Sequence, residues 1–170
     1  MKKRAVWHKT DLEKGKMLYY QYYGSKFGMW HDLDDEYEKC YVPQEIEAEW
    51  KADIISKLEK EILTAQGSDL EVAVSRYINL IPKSSNYLIR LLQSKEMDTF
   101  TSIIFCEMLK NNMLKTKNKI KAVHIRSFLD EMKIKLLKTS ITIHESYIND
   151  PYMCLYDFSD TNIIARIKAI

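Results

Sequence analysis

The stretch PQEIEAEWKADIISKLEKEILTAQGSDLEVAVSRYINLIP, residues 43–82, decides the fold class. Pro43 suits the first position of a helix, and Glu45 and Glu47 follow it where the positive end of the macrodipole favours acids. Ile46, Trp50, Ile54, Leu58 and Ile62 recur every four residues, which places them on one helix face until Gly67 closes the run. Ser68 and Glu71 have the spacing of a capping box. Leu70, Ala73, Val74, Tyr77, Ile78 and Ile81 then trace an i, i+3, i+4, i+7 stripe up to Pro82. A strand would alternate with period two, and nothing here does.

Toward the C terminus the same periodicity continues. Ser84 or Ser85 is placed to cap a short helix carrying Leu88, Leu91 and Leu92 as far as Gln93. From Met97 to Leu114 the apolar residues Phe100, Ile103, Ile104, Phe105, Cys106, Met108 and Leu109 cover most of the helix circumference, which predicts a central helix. KNNMLKTKNK, residues 110–119, reads as the connection to a helix bearing Ile125, Phe128, Leu129, Met132 and Leu136. In KTSITIHES, residues 138–146, Ile141 and Ile143 alternate like a strand without a partner strand, so continued helix is expected. NDPYMCLYDFSD is a loop, and a last helix starts near Ser159 or Asp160 and buries Ile163, Ile164 and Ile167.

Toward the N terminus, Thr10 and Glu13 form another capping-box spacing before a helix over 11–23, weakened by Gly15 and stopped by a left-handed Gly24. GSKFG is a loop, and Asp32, Asp34, Asp35 and Glu36 crowd the start of a short helix over 33–40. The expected architecture is all-α, an irregular bundle of seven or eight helices in one domain spanning 1–170. Residues 1–9 form a basic arm, and the C-terminal two thirds has room for a short stack of helical hairpins. Aligning 69–81 on 98–110 matches little beyond Asp69 with Asp98 and Leu80 with Leu109, so no repeat is demonstrated.

Composition excludes several classes of function. With 46% hydrophobic and 29% charged residues among 170, the chain can bury its own core without disulfides or metal. Its three cysteines, Cys40, Cys106 and Cys154, form no CxxC pair, which suits a reducing cytoplasm. No apolar run reaches the length of a membrane span and no signal-peptide core follows the basic start, so neither membrane insertion nor secretion is expected. The bias to 21 Lys over 5 Arg, with 19 Ile, is that of an AT-rich genome such as a low-GC bacterium.

Four constellations could carry chemistry. HDLDDE, residues 31–36, gathers His31 with four carboxylates, but read as a calcium loop from Asp32 it puts Tyr37 at the required glycine and Pro43 at the bidentate acid. It reads as an acid-dressed helix start, with a small His/Asp/Glu enzyme site at 31–36 as the alternative. Cys40 with His31 is the nearest cysteine–histidine pair, and no nucleophile elbow, zinc helix or phosphate loop accompanies it. Lys110, Lys115, Lys117, Lys119 and Lys121 are the candidate nucleic-acid contact, disfavoured by the scarcity of arginine and better explained as a solvated loop.

The fourth constellation is YYQYYGSKFGMWHDLDDEYEKCY, residues 19–41, in an N-terminal fifty residues that hold 10 of the 19 aromatic side chains. Wound at helical pitch, Leu12, Leu18, Tyr19, Tyr22 and Tyr23 fall within an arc of about 140°, the width of a buried face, and Tyr20 lies about 60° beyond it. Most of the cluster therefore reads as packing. Tyr20, Tyr23, Trp30 and His31 are left as candidates for a protein interface, rimmed by the acids of 31–49 that would steer a basic partner. The function expected is non-enzymatic binding of another protein, as a regulatory or neutralising partner or by self-association. No catalytic residue, metal ligand or cofactor is assigned; nucleic acid and membrane are not expected partners.

Overall fold

The computed structural model describes residues 9–26, 28 and 32–170. The fold is an all-α multi-helix bundle, and among the described residues there is no strand. The helices are α1 (Lys9–Gly24), α2 (Asp35–Glu38), α3 (Gln44–Thr64), α4 (Gly67–Leu80), α5 (Ser84–Ser94), α6 (Thr99–Lys115), α7 (Lys119–Lys138), α8 (Glu145–Ile148) and α9 (Asp160–Ala169), with a 3-10 turn at Pro151–Met153. Of the basic arm expected at 1–9, only Lys9 is described, and it opens α1. The chain gathers into two compact units, residues 1–64 with 72–81 and residues 65–71 with 82–170.

In the first unit α1 packs on α2 and α3. The four-residue stripe of α3 is its buried face: Trp50, Ile54, Leu58 and Ile62 are all buried, and Ile46 at its start is half-buried. Gly15 does more than weaken α1. A methyl group there would stand 2.9 Å from Val42 Cγ2 and 3.3 Å from Cys40 Cβ, so the glycine lets the α2–α3 connection lie against the helix. Thr10 sits inside α1 rather than at its cap, and Gly24 closes the helix without a left-handed backbone. Its carbonyl, which has no intrahelical partner at the helix end, accepts a 2.8 Å hydrogen bond from Arg76 Nη1. The helix expected over 33–40 is the single turn α2, because Asp34 caps it and Lys39 ends it.

In the second unit α6 lies against α5, α7 and α9, as its apolar circumference requires. Phe100, Ile103, Phe105, Cys106 and Leu109 are all at most 2% exposed. The connection expected at 110–119 is shorter than its composition suggests: α6 continues through Lys115, and Asn118 caps α7 by accepting from Lys121 N–H. On α9, Ile163 and Ile167 are buried while Ile164 is half-buried, and Ile170 completes the face.

The stretch 139–144 is neither continued helix nor strand. It runs extended past the start of α6 and satisfies that helix's free amides: Thr99 N–H donates to Thr142 Oγ1 at 3.1 Å and Phe100 N–H to the Thr142 carbonyl at 3.3 Å. Thr142 N–H returns a 2.9 Å bond to Thr99 Oγ1. The serine and threonine alternation is thus a capping surface for another helix. Ser85 is buried inside α5, whose N-cap is Lys83 with no side-chain cap bond.

The capping box expected at Ser68 and Glu71 does not form. Gly67 opens α4 with φ +53°, Ser68 N–H donates to Ser146 Oγ at 2.9 Å, and Glu71 turns to Tyr147 instead of back to Ser68. Burial holds the Glu71 carboxyl above the usual range, against a hydrogen bond from Tyr147 and the charge of Arg166. Thr101 Oγ1 gives its single proton to Asp98 Oδ1 at 2.6 Å and lies 3.1 Å from the Tyr147 hydroxyl. With Glu71 ionised, the Tyr147 proton must serve either Glu71 or Thr101; with Glu71 protonated, each contact has a donor.

A pH dependence follows. The folded state binds the Glu71 proton more tightly than the unfolded chain, so this contribution is full at acid pH and is lost as pH rises from the ordinary glutamate range through the raised folded value. Glu71→Gln is expected to raise the urea midpoint at neutral pH and to flatten this dependence. Equal midpoints for wild type and variant at pH 7 would contradict the account.

Candidate functional site

The aromatic stretch divides as its helical pitch demands. Tyr19 is buried at the centre, with ring centroids 4.6 Å from Tyr23, 5.8 Å from Tyr37 and 5.8 Å from Trp50. Tyr22 stands edge-on to Tyr23 at 4.6 Å. The Tyr37 hydroxyl donates to Glu47, and burial with this bond drives its pKa far above the tyrosine range. These rings close the α1–α2–α3 core.

Tyr20 belongs to a different surface. Its hydroxyl donates to Asp53 Oδ2 at 2.6 Å, and Lys57 Nζ donates to the same oxygen at 2.8 Å. The ammonium groups of Lys16 and Lys57 lie 5.5 and 5.3 Å from the ring centroid, within cation–π range. Desolvation and then the Asp53 bond push the Tyr20 pKa up to about 12, so it is a neutral phenol at any physiological pH. The result is a half-buried aromatic ring fixed by a carboxylate and flanked by two exposed lysines.

The candidates Tyr20 and Tyr23 are therefore separated, Tyr23 packing inward on Tyr19 and Tyr22 while Tyr20 faces Asp53. Trp30 and His31 lie outside the described residues, as do Phe27 and Met29. Sequence reasoning missed Asp53, Lys57 and Lys16. The i, i+4 spacing of Asp53 and Lys57 on the polar side of α3 was a readable ion pair, but its capture of Tyr20 depends on how α1 meets α3.

The acids of 31–36 are divided among local tasks. Asp34 Oδ1 accepts Glu36 N–H at 3.0 Å as the cap of α2. Glu36 receives hydrogen bonds from Lys14 and Lys39, which hold its carboxyl down to about 2. Asp32 and Asp34 also line an open groove of about 580 Å³ with Leu18, Gln21, Tyr22, Gly28 and Leu33. Among the described residues no group of three histidine, cysteine or acidic side chains is placed to hold a metal ion.

No family model, curated protein or solved structure matches this chain. Cys40 is buried and its thiol donates to the Glu36 carbonyl at 3.3 Å; Cys106 is buried in α6 and burial pushes its thiol up to about 12, far from a reactive thiolate. His144 and Ser146 make a serine–histidine contact of 2.8 Å, but it is a cap: His144 Nδ1 also accepts Ser146 N–H, and Ser146 Oγ accepts Ser68 N–H. Of the lysines at 110–121, Lys110 donates to the Ala169 carbonyl, while Lys115, Lys117 and Lys119 are exposed around the α6–α7 turn. Among the described residues no helix is long and apolar enough to cross a membrane.

Proposed function

We propose that this protein acts without catalysing a reaction, by binding another protein, and that Tyr20 is the anchor of the contact. The observation that supports this reading is the fixed Tyr20 ring. A large amphipathic side chain already held by Asp53 and flanked by two lysine ammonium groups loses little conformational freedom on binding, which is what an interface anchor needs. Asp32, Asp35, Glu38, Glu45 and Glu49 are exposed, and a partner with a basic surface suits this acidic segment.

Affinity capture from a native host, quantified against the wild-type chain, tests the reading. Tyr20→Ala is expected to weaken capture of a specific protein by at least about tenfold, whereas Tyr20→Phe keeps the ring and loses only its Asp53 bond, so it falls between the two. Capture unchanged by Tyr20→Ala removes this surface from the function. A second reading, a small helical enzyme using Asp32 and Asp34, is favoured only by the groove that these acids line. A catalytic activity abolished by Asp32→Asn and indifferent to Tyr20→Ala would support it instead.

A further inference from the structure

Helix α7 carries two apolar faces. Ile125, Phe128, Leu129, Met132 and Leu136 are buried in the second unit. On the opposite side Ile120, Val123, Ile134 and Leu137 are 84, 69, 54 and 44% exposed, and between them come exposed Ser127 and Asp130. These six positions succeed one another at intervals of three, four, three, four and three residues, the a/d spacing of a two-helix seam. A surface helix with its core face already satisfied has no folding reason to keep such a seam.

The seam reads the same in both directions. Ile120 and Leu137, Val123 and Ile134, and Ser127 and Asp130 are each centred on the point between Phe128 and Leu129. We propose that this face of α7 binds the same face of a second copy of the chain, antiparallel, about a two-fold axis at that midpoint. Isologous pairing demands that residue i meet j while j meets i, and this pattern supplies it. Ile120 then meets Leu137 of the second copy, Val123 meets Ile134, and Ser127 offers its hydroxyl to Asp130. That central polar pair fixes the register, because a shift by one heptad would set the carboxylate against an apolar side chain.

On one flank of the seam two polar side chains come together in this arrangement. Glu131 comes nearly level with His124 of the second copy, and both are exposed. The other flank is basic, with Arg126 and Lys133, but Arg126 Nη1 is already held 3.1 Å from the Ile170 carbonyl. A helix of 20 residues is about 30 Å long, and four apolar side chains from each copy make a small interface. The dimer is accordingly a weak, concentration-dependent one.

Sedimentation velocity on the full chain, from about 1 µM to about 1 mM, tests it. Wild type is expected to pass from monomer to dimer across this range. Ile134→Glu and Val123→Lys, both at exposed positions and both expected to keep the helical circular dichroism, should each weaken dimerisation by at least about tenfold. Their equimolar mixture should restore it, since the acid meets the lysine at one contact and the wild-type pair remains at the other.

Direction is read by oxidative cross-linking in a Cys154→Ser background, which removes the exposed native thiol. Val123→Cys mixed with Ile134→Cys should cross-link, and neither variant alone should do so. A chain that stays monomeric throughout, a dimer indifferent to both charged substitutions, or efficient cross-linking of one cysteine variant alone would each overturn the proposal.

Discussion

Phe100→Ala is expected to lower the unfolding free energy by about 4–5 kcal/mol, the upper part of the range for a buried phenylalanine reduced to alanine. The ring is 2% exposed at the start of α6 and stands edge-on to Tyr147, Tyr156 and Phe158, with centroids 4.7, 5.5 and 5.2 Å away. The Arg166 guanidinium lies 5.0 Å from its centroid while bonding Glu107 through Nε and Nη2 and Tyr156 through Nη1. Removing the ring leaves a cavity and takes the apolar support from this arginine, so hydrophobic transfer and oriented ring contacts are lost together. Urea denaturation should show a large fall in midpoint, with Phe100→Leu giving a much smaller one. A loss below about 2 kcal/mol for the alanine variant would mean that the surrounding aromatic rings collapse into the gap.

The second large effect comes from charge burial in the first unit. Arg76 has a side chain 4% exposed; Nη2 bonds Glu61 at 2.6 Å and Nη1 bonds the Gly24 carbonyl, while Nε is buried with no partner among the described residues. Glu61→Ala leaves the guanidinium desolvated without its counter-charge. The expected loss is about 2–3 kcal/mol, reduced from the usual cost of a broken buried pair because Glu61 is itself 35% exposed and water can approach. Arg76→Met roughly keeps the volume, removes the unpartnered Nε and gives up both the Gly24 bond and the Glu61 pair, but it leaves Glu61 partly exposed where water hydrates it, so about 1 kcal/mol is expected. Glu61→Ala combined with Arg76→Met should resemble Arg76→Met alone. Urea titration of the three variants gives the order, and Arg76→Met costing more than Glu61→Ala would show that the pair is effectively solvated.

Much of the fold was legible because helical periodicity is local. The stripe from Ile46 to Ile62 and that from Leu70 to Tyr77 are written in neighbouring residues, and so is the all-round apolar α6. The corrections at 68–71 and 139–144 have one cause. Ser68, Glu71, Thr99 and Thr142 are polar residues with short-range capping partners available, yet each is bonded to a residue between 41 and 78 positions away. A hydroxyl that can cap its own helix can equally serve the end of another one, and local spacing does not distinguish the two.

For the candidate site the division is the same. Helical pitch alone separated Tyr20 from the buried tyrosine face, because an angle around a helix depends only on sequence interval. That Tyr20 meets Asp53 between Lys16 and Lys57 could not be read, since it depends on the crossing of α1 and α3. The outward seam of α7 was in the sequence throughout, hidden because two apolar faces on opposite sides of one helix nearly cancel as a periodic signal. Sequence by itself determined most of where the chain is helical and which side chains share a face of each helix. Tertiary structure alone decided which faces are covered and which polar groups find one another, because burial and long-range hydrogen bonding are properties of surfaces meeting in space rather than of neighbours along the chain.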